Sequence, residues 1–208
     1  MIIEIVGVDG SGKTTAIHTA RKLINEAGVA FAYERPFQSE HVRMLEAAAS
    51  TKKRARPFSV YGRETVEITR TLELVEKSYG LTTYKGSVTQ HVFCDSYIVE
   101  QAARILQYNL DVEKFIPLID MVLKPDASIY LNVSVEEAIC RIRNREKGDA
   151  ILLEASPELA VKEIIKGQLD ALSLLKIEHK NVDANQTAGA VVKDIMNYLE
   201  QKISVLKK

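Results

Sequence analysis

Residues 7–14 read Gly7-Val8-Asp9-Gly10-Ser11-Gly12-Lys13-Thr14 and fit the pattern Gly-x-x-x-x-Gly-Lys-[Ser/Thr]. A short β-branched run, Met1-Ile2-Ile3-Glu4-Ile5-Val6, precedes them. Such a run forms a buried parallel strand. The stretch from Thr14 to Ala27 follows with a helical pattern, stopped by Gly28. Strand, glycine loop and helix in that order are the setting a phosphate-binding loop needs. Gly7, Gly10 and Gly12 let the backbone turn tightly and come close to an anion. Successive amides then point inward at the positive end of the helix dipole. Lys13 adds a mobile charge for the β- and γ-phosphates, and Thr14 a hydroxyl for Mg²⁺. Residues 7 and 9–15, including Ser11 and Thr15, are therefore the expected ATP contacts.

The rest of the chain fits a fold around that loop. At 208 residues it is read as one domain, 1–208, able to bury a sizeable core. Lys+Arg 28 against Asp+Glu 28 leaves no basic footprint for a nucleic-acid partner. No leader precedes the first strand, and no apolar run is long enough to span a bilayer, so a cytoplasmic protein is expected. Cys94 and Cys140 lack metal-ligand spacing and read as buried thiols.

Further strands are expected at 29–33, 88–93, 127–133 and 179–183. Helices are expected at 39–50, 59–79, 96–108, 110–123 with a break near Pro117, 135–145, 154–176 and 187–206. Ser39 and Ser134 are N-cap candidates. The alternation predicts an α/β fold, a five-stranded parallel sheet with helices on both faces. Open parallel sheets bind ligands at the carboxyl ends of their strands. Glu34 and Arg35 stand at the end of the second strand. Asp95 follows the third, in the Walker-B position, where it can reach Mg²⁺ or merely cap the next helix. The basic run 52–57 reads as a solvated loop or as an anion-steering patch. Arg141, Arg143 and Arg145, at alternate positions, cannot share one helical face and would fan round a helix end. Cations closing over a γ-phosphate would suit that arrangement.

The chain resembles the thymidylate kinase family of P-loop nucleoside monophosphate kinases over nearly its whole length. The residues that carry the resemblance are the loop 7–15, the proline turn after strand two, Asp95-Ser96-Tyr97, Pro125-Asp126 before Ile129-Tyr130-Leu131-Asn132, and the arginine-rich segment with Glu154 beyond it. The resemblance implies a P-loop NTPase fold and transfer from ATP to a deoxynucleoside monophosphate, dTMP to dTDP in the first place. It also implies Mg²⁺ and a homodimer. It puts Asp9 under the acceptor sugar and Lys13 across the phosphates. Arg141, Arg143 and Arg145 fall in a lid, residues 141–155, because the loop lacks an arginine of its own. Glu34, Arg35, Arg70 and Tyr97 would stand around the acceptor with Asp9.

Three positions depart from the family pattern. Ser96 replaces the arginine of Asp-Arg-[Tyr/His], Glu100 replaces a serine, and the Arg-Glu-Pro turn reads Glu34-Arg35-Pro36. Arg35, Arg63 or Arg70 could compensate for the missing charge. Two other readings stay open. In one the protein is a deoxynucleoside or small-hydroxyl kinase with Glu34 as base. In the other it is a non-catalytic NTP-binding regulator on the same fold.

Overall fold

β1 (Ile2–Val6) is buried along its whole length and lies in the middle of a five-stranded sheet. The computed structural model describes residues 1–53, 56–86, 91–146 and 148–203. The sheet order is β2-β3-β1-β4-β5, with β2 (Phe31–Glu34), β3 (His91–Asp95), β4 (Ala127–Asn132) and β5 (His179–Asp183). All four pairings are parallel. The parallel sheet with helices on both faces, expected from the alternating pattern, is the fold observed.

Strand periodicity divides the core in two. Ile3, Ile5, Phe93, Ile129 and Leu131 face α1 (Lys13–Glu26), α7 (Val135–Arg143) and α9 (Ala188–Lys202). Ile2, Val6, Val92 and Tyr130 face α4 (Arg63–Gly80), α5 (Ile98–Gln107) and α6 (Val112–Met121). α8 (Pro157–Leu174) feeds both, through Val161 on one side and Ala171 and Leu172 on the other. α2 (Glu40–Lys53) and α3 (Pro57–Tyr61) pack against α4 beyond the carboxyl ends of the strands.

Several boundaries differ from expectation for local reasons. The helix expected over 59–79 is two, broken at Gly62, whose φ of 80° no side chain adopts cheaply. Pro117 does not end its helix. It sits inside α6, whose Phe115 and Ile119 are buried one turn apart. Burying two such side chains is worth roughly 3–6 kcal/mol, enough to offset the ~3 kcal/mol cost of an interior proline. α7 stops at Arg143 and α8 starts only at Pro157, with a short 3-10 turn, Ala150–Leu153, between them. Asp95 is the last residue of β3 rather than the first after it. Cys94 is buried as expected, but Cys140 is exposed on α7. Residues 88–90 of the expected third strand, Arg54 and Ala55 of the basic run, Lys147, and the end of the last helix beyond Ile203 lie outside the described residues.

Candidate active site

The loop closes the end of β1 and hands the chain to α1. Gly10 and Gly12 adopt φ of 86° and 89°, a left-handed geometry natural to glycine. At Gly10 the constraint is also steric. A Cβ there would stand 2.5 Å from the backbone carbonyl oxygen of Ala138 on α7. The loop is thus seated directly on α7. Arg141 on the same helix donates from Nη1 to Gly10 O at 3.4 Å and from Nε to Glu137 Oε1 at 2.7 Å. Lys13 curls back over the loop, its Nζ donating to Gly7 O and to Val8 O, the latter at 3.2 Å.

The register pairs Ile5 of β1 with Asp95 of β3, so the loop and this carboxylate emerge side by side. Asp95 is only 3% exposed. Its Oδ2 accepts the Thr14 hydroxyl at 2.8 Å and the Tyr33 hydroxyl at 3.1 Å, with Arg35 Nε 3.9 Å away. Tyr33, the sequence reading's omission, is recognisable only from the pairing of β2 with β3. Burial beside the Asp95 charge pushes its phenol pKa up, so it stays a donor. Asp95 does not cap α5. That role falls to Glu4 of β1, fully buried, whose Oε1 accepts the backbone N–H of Tyr97 and of Val99, each at 3.1 Å. Burial pushes the Glu4 carboxyl up to about 8.

A cavity of about 810 Å³ opens over the loop. Asp9, Lys13, Thr14, Thr15, Arg35, Asp95, Ser96, Glu100, Arg104 and Arg145 all line it. Arg145 Nη1 lies 4.0 Å from Asp9 Oδ1 and 3.4 Å from Asp149 Oδ2. Arg143 turns the other way, to Glu158 on α8, and is exposed. The three arginines do fan round the helix end, but only Arg145 enters this cavity. Arg141 lines a second, of about 450 Å³, with Ser11, Gly12, Thr15 and the turn Asn185–Ala188 between β5 and α9. That turn carries no motif, and its proximity to the loop is a product of the sheet order.

Two residues predicted at the acceptor do not line the loop cavity. Tyr97 is fully buried and donates its hydroxyl to Leu123 O at 2.8 Å, so it faces the core. Glu34 lines a separate cleft with Pro36, Lys77 and Leu81. It alternates with Tyr33 along β2, and Tyr33 takes the face that meets Asp95. Arg35, one residue on, lines that cleft too and also reaches the loop cavity. Arg70 lines a third cavity, about 790 Å³, between α2, α3, α4 and α5. Its Cζ stands 5.0 Å from the Phe37 ring centroid. Arg63 lines it too, with its Cζ 4.7 Å and 4.2 Å from the ring centroids of Phe58 and Tyr108. Arg104 of α5 borders both this cavity and the one over the loop. Helical spacing from Glu100 would have put it on the same face, a signal the sequence offered.

The family model for thymidylate kinase matches residues 5–195, which include the loop, Asp95 and the arginine segment. The chain belongs to the thymidylate kinase family. It is therefore a kinase, and the non-catalytic reading is set aside. No curated protein sequence matches the chain. Among solved structures, a deoxyadenosine kinase from M. mycoides, with products dCMP and a flexible dCDP bound, is similar over 97% of this chain and 100% of that one. The identity is 22% and the TM-score 0.61, a likeness of fold. It is the P-loop NTPase fold expected for this family. Among the described residues no helix is long and apolar enough to cross a membrane, and no group of three or more His, Cys, Asp or Glu could hold a metal.

Proposed function

We propose that this thymidylate kinase relative transfers the γ-phosphoryl of ATP to a deoxynucleoside monophosphate, with dTMP the first candidate. The observation that carries the acceptor class is the identity of the side chain at the end of β2. Arg35 lines the loop cavity as well as the neighbouring cleft, whereas Glu34 lines the cleft and not the loop cavity. A hydroxyl acceptor would call for a carboxylate base at that place. A phosphate acceptor is already a nucleophile and needs cations, which Arg35 and its neighbours supply. The loop amides and Lys13 would hold the β- and γ-phosphates. The cavity beside Arg141 and Asn185–Ala188 opens at the same loop and would take the adenine. Arg145 and Asp149 belong to the segment 141–155, the lid, which would close over the triphosphate. Asp9, between Arg145 and the loop, would accept a hydrogen bond from the acceptor sugar.

Thr14 and Asp95 offer a hydroxyl and a carboxylate, both hard oxygen donors, and this set fits Mg²⁺, which takes few protein ligands beside phosphates. Bound there, the ion would neutralise charge on the β- and γ-phosphates. Tyr33 and Thr14 occupy Asp95 Oδ2 and so fix the orientation of the carboxylate. The enzyme acts in the cytoplasm on free nucleotides. A homodimer is supported by exposed Leu72 and Tyr79, two turns apart on α4, and by exposed Ile116 and Met121 on α6, which packs beside it.

Product analysis with ATP tests the acceptor class. The four deoxynucleoside monophosphates and their nucleosides form the panel. Diphosphate formation from a monophosphate, with nucleosides inert, is expected. A preference for nucleosides would reverse the assignment and return attention to carboxylates near the loop.

A further inference from the structure

Two arginines share one buried carboxylate where the loop cavity meets the cavity walled by α2–α5. Glu67 on α4 is 2% exposed at its side chain. Its Oε2 lies 3.3 Å from Arg70 Nε, and its Oε1 3.2 Å from Arg104 Nη2. Gln101 Nε2 also donates to Oε2, at 3.3 Å. The two arginine side chains are themselves largely covered, at 14% and 28% exposure. One negative charge among two positive ones leaves a net positive charge with little solvent to disperse it. Such a cluster is costly unless an anion completes it. Arg104 is the member turned toward that role. It borders both cavities, and its Nε is buried without a partner among the described residues. Among the described residues Glu46 is the other carboxylate lining the walled cavity, where Arg56 and Arg63 share the lining. On the loop side Glu100 also acts on Arg104, and its Oε2 accepts from Gln168 Nε2 at 2.9 Å.

From this geometry we infer that Arg104, held by Glu67, binds the phosphate of the acceptor and replaces the cation missing at Ser96. The inference rests on the monophosphate reading above. An acceptor laid with its base in the walled cavity and its phosphate toward Lys13 must pass Arg104 at the junction. Ser96, at φ 66° in the turn after β3, lines the loop cavity but offers no charge. Arg35 approaches Asp95 from the β2 side, so Arg35 and Arg104 would flank the phosphate from different elements. Glu67 acts through Arg104 and Arg70 and is a positioning residue.

The test compares each deoxynucleoside monophosphate with its own nucleoside by calorimetric binding without ATP. Wild type, Arg104→Gln and Arg104→Lys are measured, with ATP KM and circular dichroism alongside. The ratio of nucleoside Kd to monophosphate Kd isolates the phosphate. In Arg104→Gln it should shrink by roughly tenfold to a hundredfold, the range for a lost charge-assisted hydrogen bond. ATP KM should stay within about twofold. Arg104→Lys keeps the charge without the fork and should retain part of the ratio. An unchanged ratio in folded Arg104→Gln overturns the assignment and leaves the monophosphate reading standing. Equal weakening of nucleoside and monophosphate also overturns it, because Arg104 would then read the base. A wild type that prefers nucleosides overturns both.

Discussion

Glu4, in the middle of the central strand, accepts the backbone N–H of Tyr97 at 3.1 Å across the β1–β3 pairing. This bond, with its twin to Val99, starts α5. It fixes the turn that carries Asp95 and Ser96 on one side and Glu100 and Arg104 on the other. The second oxygen, Oε2, is buried without a partner among the described residues.

Stability should therefore depend on pH in a way set by two carboxyls shifted in opposite directions. Burial raises Glu4 from 4.5 to about 8. Between those values the folded state holds a proton that the unfolded chain has released, so stability falls as pH rises through the window. For Glu73, burial acts upward. The Ser39 hydroxyl, Lys77 and the backbone N–H groups of Glu40 and His41 outweigh it and hold the carboxyl well below the usual range. Its contribution is present above pH 4.5 and is lost as pH falls below that value. Thermal melts from pH 2 to pH 9 should show Glu4→Gln flattening the decline between pH 4.5 and about 8 while keeping the one below pH 4.5. A variant with the wild-type slope between pH 4.5 and about 8 would show that Glu4 does not titrate there.

Gly10→Ala should destabilise the protein more than Gly12→Ala. Both need a left-handed φ, at a cost of about 1–2 kcal/mol. A Cβ at Gly10 also meets Ala138 O at 2.5 Å, whereas at Gly12 nothing lies within 4 Å. Denaturant melts without nucleotide make the comparison. Equal losses would mean that α7 yields freely to the loop.

Asp95→Asn should lose activity through the metal. The amide keeps hydrogen bonds to Thr14 and Tyr33 but is a poorer Mg²⁺ ligand. A Mg²⁺ titration should show a shifted requirement together with a fall in kcat. Tyr33→Phe should produce a milder shift of the same kind. If the titration of Asp95→Asn superimposes on wild type, the metal is held elsewhere.

The three arginines should separate by role. Arg145→Ala should lower kcat by roughly 10²–10³, since it lies over the loop cavity beside Asp9. Arg141→Ala should raise ATP KM, because it braces Gly10 and lines the cavity next to Asn185. Arg143→Ala should stay near wild type, its partner being exposed Glu158. Steady-state kinetics with ATP varied distinguish the three; a strong kcat loss at Arg143 alone would require a different lid geometry.

Lys13→Ala should abolish phosphoryl transfer in a protein that keeps its circular dichroism spectrum. Lys13 fills no core, and among the described residues its Nζ hydrogen-bonds to the loop carbonyls of Gly7 and Val8. Near-normal turnover in the folded variant would remove the loop from the chemistry.

What the amino-acid sequence determined by itself is local or periodic. Gly7–Thr14 announces its own chemistry, because spacing along one turn and the start of one helix needs no distant partner. The strands of alternating or continuous apolar character, the helix caps at Ser39 and Ser134, and hence the parallel sheet follow from short-range rules. Tertiary structure decided which side of a strand end meets the ligand. Of the neighbours Glu34 and Arg35, only Arg35 reaches the loop cavity from the cleft that both line, and the pairing of β2 with β3 sets that difference. It turned Tyr97 into the core and Arg143 out to α8, and it brought Tyr33 onto Asp95 from 62 residues away. It also joined Glu67, Arg70 and Arg104 across α4 and α5. Apart from the local i,i+3 pair of Glu67 and Arg70, these are long-range contacts set by helix rotation and sheet register, which the spacing of the residues concerned does not specify.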